Sequence, residues 1–489
     1  MPPPEMPAPN TGPGPVRQRR WTPTRMQRIA VVAPNESLRG ALVRVAEAGV
    51  VQLDDPAEAP GSDLGEAAQC LQRLGGLPTA ATGTGAARLS AAAPDLAGWE
   101  HDGRADLVAG EAQLQHYAAA AVHRGGVAAV AGWCASQQLP TLDAALADAD
   151  AAVVELPMPR SVDPPTLLAG GGTLRRSFAT LVQTYGTVPY RDLDPSIWAG
   201  LVYVVMFGMM FGDVGHGLLL VGGALAIRLG WIARLAWAKR AWAFLAAAGL
   251  FAMVFGALYG EFFGPTGVIP VLWLAPLEQP LTLLLAALAL GAVLLGLAYA
   301  VGAANRWREG GLKLALYAPT GIAGATVFLG VGVVVAGVLL TTPPVMILGA
   351  VLSGLGLALA VVGLYAEAGG GAAAALQAVI GGFDLVIRLG SNVVSFARLA
   401  AFGMTHAALG WVVWRGVAAL WPNGWAGIVA AVLLFVVGNI VAFVLEALVA
   451  GVQALRLEYY ELFSRVFVGE GRGFAPWQLT VDRSENSTC

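Results

Sequence analysis

The sequence predicts a multi-pass α-helical membrane protein of about eight transmembrane helices, the last two long and tilted, with a small N-terminal α/β domain. Of its 489 residues, 56% are hydrophobic and 12% are charged, whereas soluble domains are about 25% charged. The charges are also uneven: 35 of the 61 fall in the first 195 residues, and 26 in the remaining 294. This asymmetry indicates a soluble domain joined to a membrane domain.

Net charge, cysteines and motifs exclude several classes of function. A net charge of −3 argues against nucleic acid as a partner. Three distant cysteines, Cys70, Cys134 and Cys489, suggest neither a disulfide framework nor a zinc site. No phosphate-binding G-x-x-x-x-G-K-[ST] loop is present. We therefore expect no cofactor, no metal and no nucleotide site in this chain.

The predicted soluble domain covers residues 26–190, after a disordered Pro-rich tail at 1–25. Strand and helix patterns predict two small β-α-β lobes joined by a short helical connector. The first has strands at Arg28 to Val32 and Val50 to Leu53 around a helix at Ser37 to Ala48; the second has strands at Val127 to Trp133 and Ala152 to Leu156 around a helix near Leu142 to Ala147. Residues 469–489 are expected to be a cytosolic C-terminal tail.

The predicted membrane domain, residues 191–468, consists of long apolar runs. They cover roughly 197–230, 241–264, 280–304, 314–341, 344–366, 387–420 and 425–468. A bilayer core needs about 20 helical residues, and Gly-Asp-Val-Gly-His-Gly at 212–217 is a poor helix centre. Splitting the first run there places the clustered Arg and Lys residues of the connecting loops in the cytoplasm. This split gives eight membrane spans, with both termini in the cytoplasm.

Placing an ionisable residue inside the bilayer costs free energy, so each such residue is a functional candidate. Asp213 and His216 lie in the break of the first run, where they could cap two half-helices. Glu261 lies near the outer end of its span. We expect these three residues to form a structural motif.

Two arginines lie deep on the last two antiparallel helices. Arg398 lies about 16 Å along its helix from the predicted entry near Ile387. Arg456 lies about 18 Å from the predicted exit of the last helix near Val468. Both guanidinium groups are therefore expected near the middle of the bilayer.

Polar residues accompany the arginines along both helices. Helical spacing places Ser395 and Thr405 with Arg398, and His406 beside them, while Asn439, Glu446 and Gln453 recur every seven residues. A carboxylate, an imidazole and an amide thus lead toward a central guanidinium, as in an aqueous ion path. The alternative is structural: Arg456 would pair with Glu446, and His406 would be a hydrogen-bonded packing residue. Because this stretch offers too few acids to neutralise both arginines, we expect a carboxylate from another chain.

At these residues the chain resembles subunit a, or subunit I, of the V-type and A-type ATPases. The resembling segments are FGMMFGDVGHG (207–217), LYGEFFG (258–264), SNVVSFARLAAFGMTHAALG (391–410) and LEALVAGVQALRLEYYELFSRVF (445–467). MQRIAVVAP, AGVVQLDD and AGWCASQQLP resemble parts of the family's cytosolic lobes. In place of the family's long helical hairpin, a short connector without clear heptads joins the two lobes here, so the cytosolic domain is shortened.

The resemblance implies the static membrane subunit of a rotary proton or sodium pump in the cell membrane. Arg398 matches the essential arginine and Arg456 the second one, while Glu446 and His406 match positions of the outer half-channel. A proteolipid c-ring, peripheral stalk subunits and other V/A-ATPase subunits are the implied partners, and those other subunits handle ATP. Two alternatives stay open: a stand-alone secondary transporter or channel, and a non-translocating membrane scaffold.

Overall fold

The computed structural model describes residues 22–54, 65–75, 87–159, 162–168, 173–231, 233–467 and 471–483. These residues form two compact units. One combines the N-terminal part of the chain, up to Leu168, with the C-terminal segment from Gly471; the other covers Ala169–Glu470. Most of the predicted Pro-rich tail, residues 1–21, lies outside the described residues.

The first unit combines a five-stranded antiparallel sheet and a two-stranded parallel sheet with several short helices. Its strands are β1 Met26–Pro34, β2 Val51–Leu53, β3 Arg88–Ser90, β4 Val122–Arg124, β5 Val127–Ala135, β6 Ala152–Glu155 and β7 Thr480–Asp482. Its helices are α1 Leu38–Ala48, α2 Glu66–Arg73, α3 Leu96–His101, α4 Ala105–Ala119 and α5 Leu139–Leu146, with a 3-10 turn at Ala147–Ala149. The elements predicted for both β-α-β units are therefore present.

The strands of the two predicted lobes pair with one another. The order is β2-β5-β1-β6, with β4 paired to β5, and all these pairs are antiparallel. Gly125 and Gly126, with φ of 60° and 83°, form the tight turn between β4 and β5. Leu42 of α1 and Leu142 of α5 are fully buried in the core. The strands predicted for the two lobes therefore share one five-stranded sheet instead of forming two separate ones.

The C-terminal segment is part of this unit and not a free tail. β7 pairs in parallel with β3. The indole N–H of Trp477 donates to Gln113 Oε1 at 3.0 Å, and Trp477 and Leu479 are buried in the core with α1. The expectation of a tail at 469–489 is therefore wrong for residues 471–483, because they include a paired strand and two apolar side chains buried in the core.

The second unit is helical. Its helices are α6 Thr173–Tyr185, α7 Ser196–Met210, α8 Val214–Leu229, α9 Trp242–Tyr259, α10 Pro280–Tyr317, α11 Ile322–Leu339, α12 Pro343–Glu367, α13 Ala372–Ser395, α14 Ala397–Leu420, α15 Gly424–Leu457 and α16 Ser464–Val466. A 3-10 helix covers Ala233–Arg240, and a π-helix covers Glu458–Phe463. The chain is thus mostly helical, with a small strand-containing region.

Six helices among the described residues are long and apolar enough to cross a membrane, counting α13 with α14 and α15 with its continuation to Val466. The first predicted run is split as expected: α7 ends at Met210 and α8 begins at Val214. These two helices have 15 and 16 residues, which is shorter than a full span of about 20. Eight crossings therefore remain a proposal.

Two long helices contain interruptions that the apolar pattern did not predict. α10 changes direction at Gly311, whose φ of 73° is outside the helical region. The predicted seventh helix starts at Ala372, well before Ile387, and is interrupted at Phe396, just before Arg398. Phe396 keeps near-helical dihedrals of −72° and −10°, so this second interruption exposes little backbone.

Glycine contacts hold the helices around the break between α7 and α8. A Cβ on Gly256 of α9 would lie 2.4 Å from Val214 N, and one on Gly264 would lie 2.9 Å from the backbone of Gly410 on α14. Real side chains do not approach so closely, so both positions require glycine. They bring the loop after α9 against the start of α8 and the middle of α14.

Candidate functional site

Asp213 caps α8 and fixes the loop that follows α9. Its Oδ1 accepts hydrogen bonds from the backbone N–H groups of His216 at 2.8 Å and Phe263 at 3.0 Å, and its Oδ2 accepts from Gly264 N at 2.7 Å. A carboxylate is favoured here because a helix N-terminus has unpaired N–H groups and a positive dipole end. Asp213 therefore caps α8, and the backbone N–H of His216 is one of the groups that it caps.

Replacing Asp213 with Ala is expected to lower stability by about 3 kcal/mol, since one cap and two further buried N–H acceptors are lost. Thermal unfolding of the detergent-solubilised chain measures this. Asp384→Ala is the matched control, because Asp384 pairs with Arg388 on an exposed helix face and should change stability by about 0.5 kcal/mol or less. Equal melting temperatures for the two variants would contradict the capping role.

Six buried polar residues from α8, α14, α15 and two loops form one group, which we call the polar cluster. Each is at most 9% exposed. Within the group, His406 Nδ1 and Glu446 Oε2 share a hydrogen bond. The members are Asp213, His216, Glu261, His406, Asn439 and Glu446.

Aromatic rings surround the two histidines of the polar cluster. The imidazoles of His216 and His406 lie 5.5 Å apart between ring centroids. Phe211 is 5.6 Å from the first and 5.0 Å from the second. Phe263 lies 5.3 Å from His216, and Phe443 lies 5.8 Å from it. The sequence predicts two separate features, a structural motif that includes His216 and an ion path that includes His406. In the fold, residues of both lie in one site walled by aromatic rings.

The two arginines line a second site, which we call the arginine groove. It has a volume of about 630 Å³. Its lining residues are Ser395, Arg398, Val452, Leu455, Arg456, Tyr459, Tyr460 and Glu461. Tyr460 is 72% exposed, so the groove reaches the surface of the helical unit.

Arg398 is held by its own chain at one side of the arginine groove. Its Nη2 donates to Glu461 Oε1 at 2.9 Å, and its Nε donates to Ser395 O at 3.2 Å. The Arg398 side chain is 24% exposed, whereas that of Glu461 is 7% exposed. Glu461 of the same chain therefore supplies one carboxylate to Arg398, and the expectation of a further carboxylate from another chain stays a prediction.

The π-helix explains why regular helical spacing does not predict Glu461 beside the two arginines. At 3.6 residues per turn, Glu461 would lie about 140° around the helix from Arg456. The wider turns at Glu458–Phe463 take more residues each and reduce this angle, so both side chains line the groove. Glu458 in the same segment is fully buried, and neither of its carboxylate oxygens has a hydrogen-bond partner within the described ranges.

The other predicted path residues are distributed unevenly. Asn439 belongs to the polar cluster and donates to Phe435 O at 2.8 Å. Gln453 is half-buried, and its amide oxygen finds no partner within the described chain. Thr405 is exposed and bonds back to carbonyls of its own helix at 2.9 and 3.1 Å, so it joins neither site.

The polar cluster and the arginine groove share α14 and α15. His406 follows Arg398 on α14, and Glu446 precedes Arg456 on α15. The separations along the two helices are about 12 and 15 Å. The acid-imidazole pair and the two arginines are therefore offset by about 12 to 15 Å along the helices.

Comparisons with known proteins agree with the sequence resemblance. Residues 112–270 match the model of the V-type ATPase 116kDa subunit family. The A-type ATP synthase subunit I of Pyrococcus horikoshii is 30% identical over 320 residues, which are 63% of this chain and 46% of the relative. That of Thermococcus kodakarensis is 29% identical over 62% of this chain and 46% of the relative.

A bacterial relative matches a shorter stretch at higher identity. The V-type ATP synthase subunit I 2 of Treponema pallidum is 39% identical over 114 residues, which are 23% of this chain and 24% of the relative. The chain spans about half the length of the archaeal relatives it matches. The chain is therefore similar to the V-type ATPase 116kDa subunit family over residues 112–270, and to the A-type ATP synthase subunit I over a longer stretch.

Proposed function

We propose that this chain is the static membrane subunit of a rotary V/A-type ATPase. It would provide two half-channels and the essential arginine for moving protons or sodium ions against a proteolipid c-ring. The observation that carries the proposal is the arginine groove, in which two guanidinium groups of a membrane unit lie together at its surface. Other subunits would bind and hydrolyse, or synthesise, ATP.

Arg398 keeps hydrogen-bonding capacity for a second carboxylate. A guanidinium has five N–H donors, and in the described structure Arg398 directs Nε and Nη2 at partners. The donors of Nη1 are left for a group entering the groove. A carboxylate on a passing proteolipid helix fits this geometry, because planar guanidinium and carboxylate groups pair in two-point contacts.

Electrostatics would convert this contact into ion release. A positive charge within about 4 to 6 Å favours the ionised carboxylate, so an arriving proteolipid acid gives up its ion beside Arg398. After it rotates into lipid, desolvation favours the neutral form. Arginine suits the role because its guanidinium keeps its charge in proteins. A continuous water path past Arg398 would short-circuit the coupling.

The polar cluster would be the outer half-channel. The hydrogen-bonded pair of His406 and Glu446 can pass a proton along the helix, since each group can donate or accept it. Asn439 and Glu261 add polar atoms to the same buried region. Gln453, with an amide oxygen that has no partner among the described residues, lies between the polar cluster and the arginine groove on α15. Ser395 lines the groove beside Arg398.

Chain connectivity supports the proposed orientation. Both ends of the helical unit lead into the same soluble unit, because Gly471 onward folds with the N-terminal residues. Both soluble segments must then lie on one side of the membrane, so the number of crossings is even. With clustered positive charges inside, we place both termini in the cytoplasm, eight helices in the cell membrane, and the peripheral stalk on the soluble unit.

Glu461→Gln tests the electrostatic balance at Arg398. The amide keeps a hydrogen-bond acceptor but removes the charge that partly neutralises the guanidinium. A proteolipid carboxylate should then bind Arg398 more tightly and leave more slowly, and about 1.4 kcal/mol of extra attraction would slow transport about tenfold. ATP-driven ion uptake by vesicles containing the assembled complex measures the rate. An unchanged rate, or an enzyme that cannot assemble, would contradict this role.

Purification from native membranes distinguishes the proposal from its alternatives. A pump subunit should bring down a proteolipid ring and nucleotide-binding subunits. A secondary transporter should move substrate when reconstituted alone. A scaffold should support its complex equally well after both Arg398 and Arg456 are replaced. Recovery of the chain alone from gently solubilised membranes would count against the proposed pump.

A further inference from the structure

Three side chains of the polar cluster form a candidate metal site. Asp213, His216 and His406 each offer a ligand atom, and these atoms all lie within 4.8 Å of one another. The three residues are 0%, 2% and 4% exposed. Two imidazoles with one carboxylate are a ligand set that Zn²⁺ accepts.

His216 has no other evident use for its ring nitrogens. Within the described part of the chain, neither Nδ1 nor Nε2 makes a hydrogen bond of normal geometry, although Asn439 lies beside the ring. Nδ1 lies 3.8 Å from Asp213 Oδ1. Burying an imidazole without partners is unfavourable. A bound cation would accept the lone pair of a ring nitrogen and so give the imidazole a partner.

His406 is already oriented as metal-binding histidines usually are. Ligating histidines commonly donate the second ring N–H to a carboxylate, which fixes the tautomer and raises the basicity of the ligating nitrogen. Glu446 makes this contact with Nδ1 of His406, so the lone pair of Nε2 is free for a metal. Asp213 Oδ2 accepts one N–H, from Gly264, and keeps a lone pair.

We propose that this site binds one divalent transition metal of the Zn²⁺ class. Tetrahedral Zn²⁺, with ligands at about 2.0 to 2.1 Å, needs donor atoms roughly 3.3 Å apart, so the side chains close inward on binding. Glu261, whose Oε2 has no hydrogen-bond partner among the described residues, or a water completes the shell. The sequence predicts no metal because His216 and His406 are far apart in the chain and share no ligand motif.

The site includes His406, so its occupancy has a functional consequence that rests on the proposed function. A bound metal would take the lone pair that a proton relay needs, and Zn²⁺ would inhibit transport reversibly. Metal binding itself can be measured without transport. Failure of the pump proposal would therefore leave the metal site intact, and the reverse also holds.

The test uses the full chain, purified with a tag free of histidine, stripped by a chelator and dialysed against micromolar Zn²⁺. We expect one tightly retained Zn²⁺ per chain by elemental analysis. His216→Ala and His406→Ala should lose it, and Glu446→Gln should weaken binding about 10- to 100-fold. His123→Ala, which removes an exposed histidine bonded to Asn35, should keep full binding.

Cobalt substitution removes the dependence on variants that fold poorly. Co²⁺ added to the stripped wild-type chain should give the intense visible absorption of a four-coordinate site, without the sulfur charge-transfer band that cysteine ligands would produce. Absence of retained Zn²⁺ and of this absorption in the wild type would overturn the proposal. So would metal binding that survives loss of both His216 and His406.

Discussion

Arg398→Ala and Arg398→Lys are expected to abolish coupled ion transport while leaving assembly intact. Alanine removes the charge that favours ionisation of an arriving carboxylate. Lysine keeps the charge but loses the planar set of N–H donors that serves Glu461, the backbone and an incoming acid together. The measurement is ATP-driven ion uptake into vesicles containing the purified complex, with subunit composition checked by gel.

Arg388→Lys is the matched control for this loss. Arg388 lies on the preceding helix α13 but is 67% exposed and pairs with Asp384, and exposed pairs of this kind contribute little. Its variant should transport at the wild-type rate. Normal pumping by either Arg398 variant would contradict the assignment of the essential arginine.

Glu446→Gln should slow transport by about tenfold or more at limiting ion concentration. Glutamine can accept a hydrogen bond from His406, but it does not exchange protons, and general acid-base groups contribute about 10²- to 10⁴-fold in rate. The effect should shrink at saturating ion concentration if Glu446 acts on entry. Initial rates over a range of external ion concentration measure it.

A double variant separates a relay from a packing role. If His406 and Glu446 work as one unit, the variant with both His406→Gln and Glu446→Gln should be little slower than the worse single variant. Glu367→Gln, at the exposed end of α12, is the control and should behave as wild type. An unchanged rate for Glu446→Gln at limiting ion concentration would remove Glu446 from the path.

Local sequence patterns were enough to predict most elements. Apolar run length and the glycine-rich break at 212–217 predicted separate helices, and the structure ends one at Met210 and begins the next at Val214. Seven-residue spacing predicted that Asn439 and Glu446 share a side of α15, and both belong to the polar cluster. Such features depend on neighbours within one helix.

Features that depend on distant partners could not be predicted in the same way. The pairing of β1 with β5 joins segments from the two predicted lobes, so two local β-α-β patterns became one sheet. The ion pair between Arg398 and Glu461 depends on a π-helix. The spacing of apolar residues does not predict where a helix changes to π-helical turns. His216 and His406 likewise come together only because α8 and α14 lie close to each other in the fold.

The most direct test of the central claim is a cross-link from the arginine groove to a proteolipid. A photoreactive phenylalanine analogue at Tyr460, which lines the groove and is 72% exposed, should yield an adduct with a small proteolipid in native membranes. The same analogue at Leu329, 60% exposed on α11, should not. If Tyr460 gives no proteolipid adduct, or gives no more than Leu329, then Arg398 does not face an acid of a second chain.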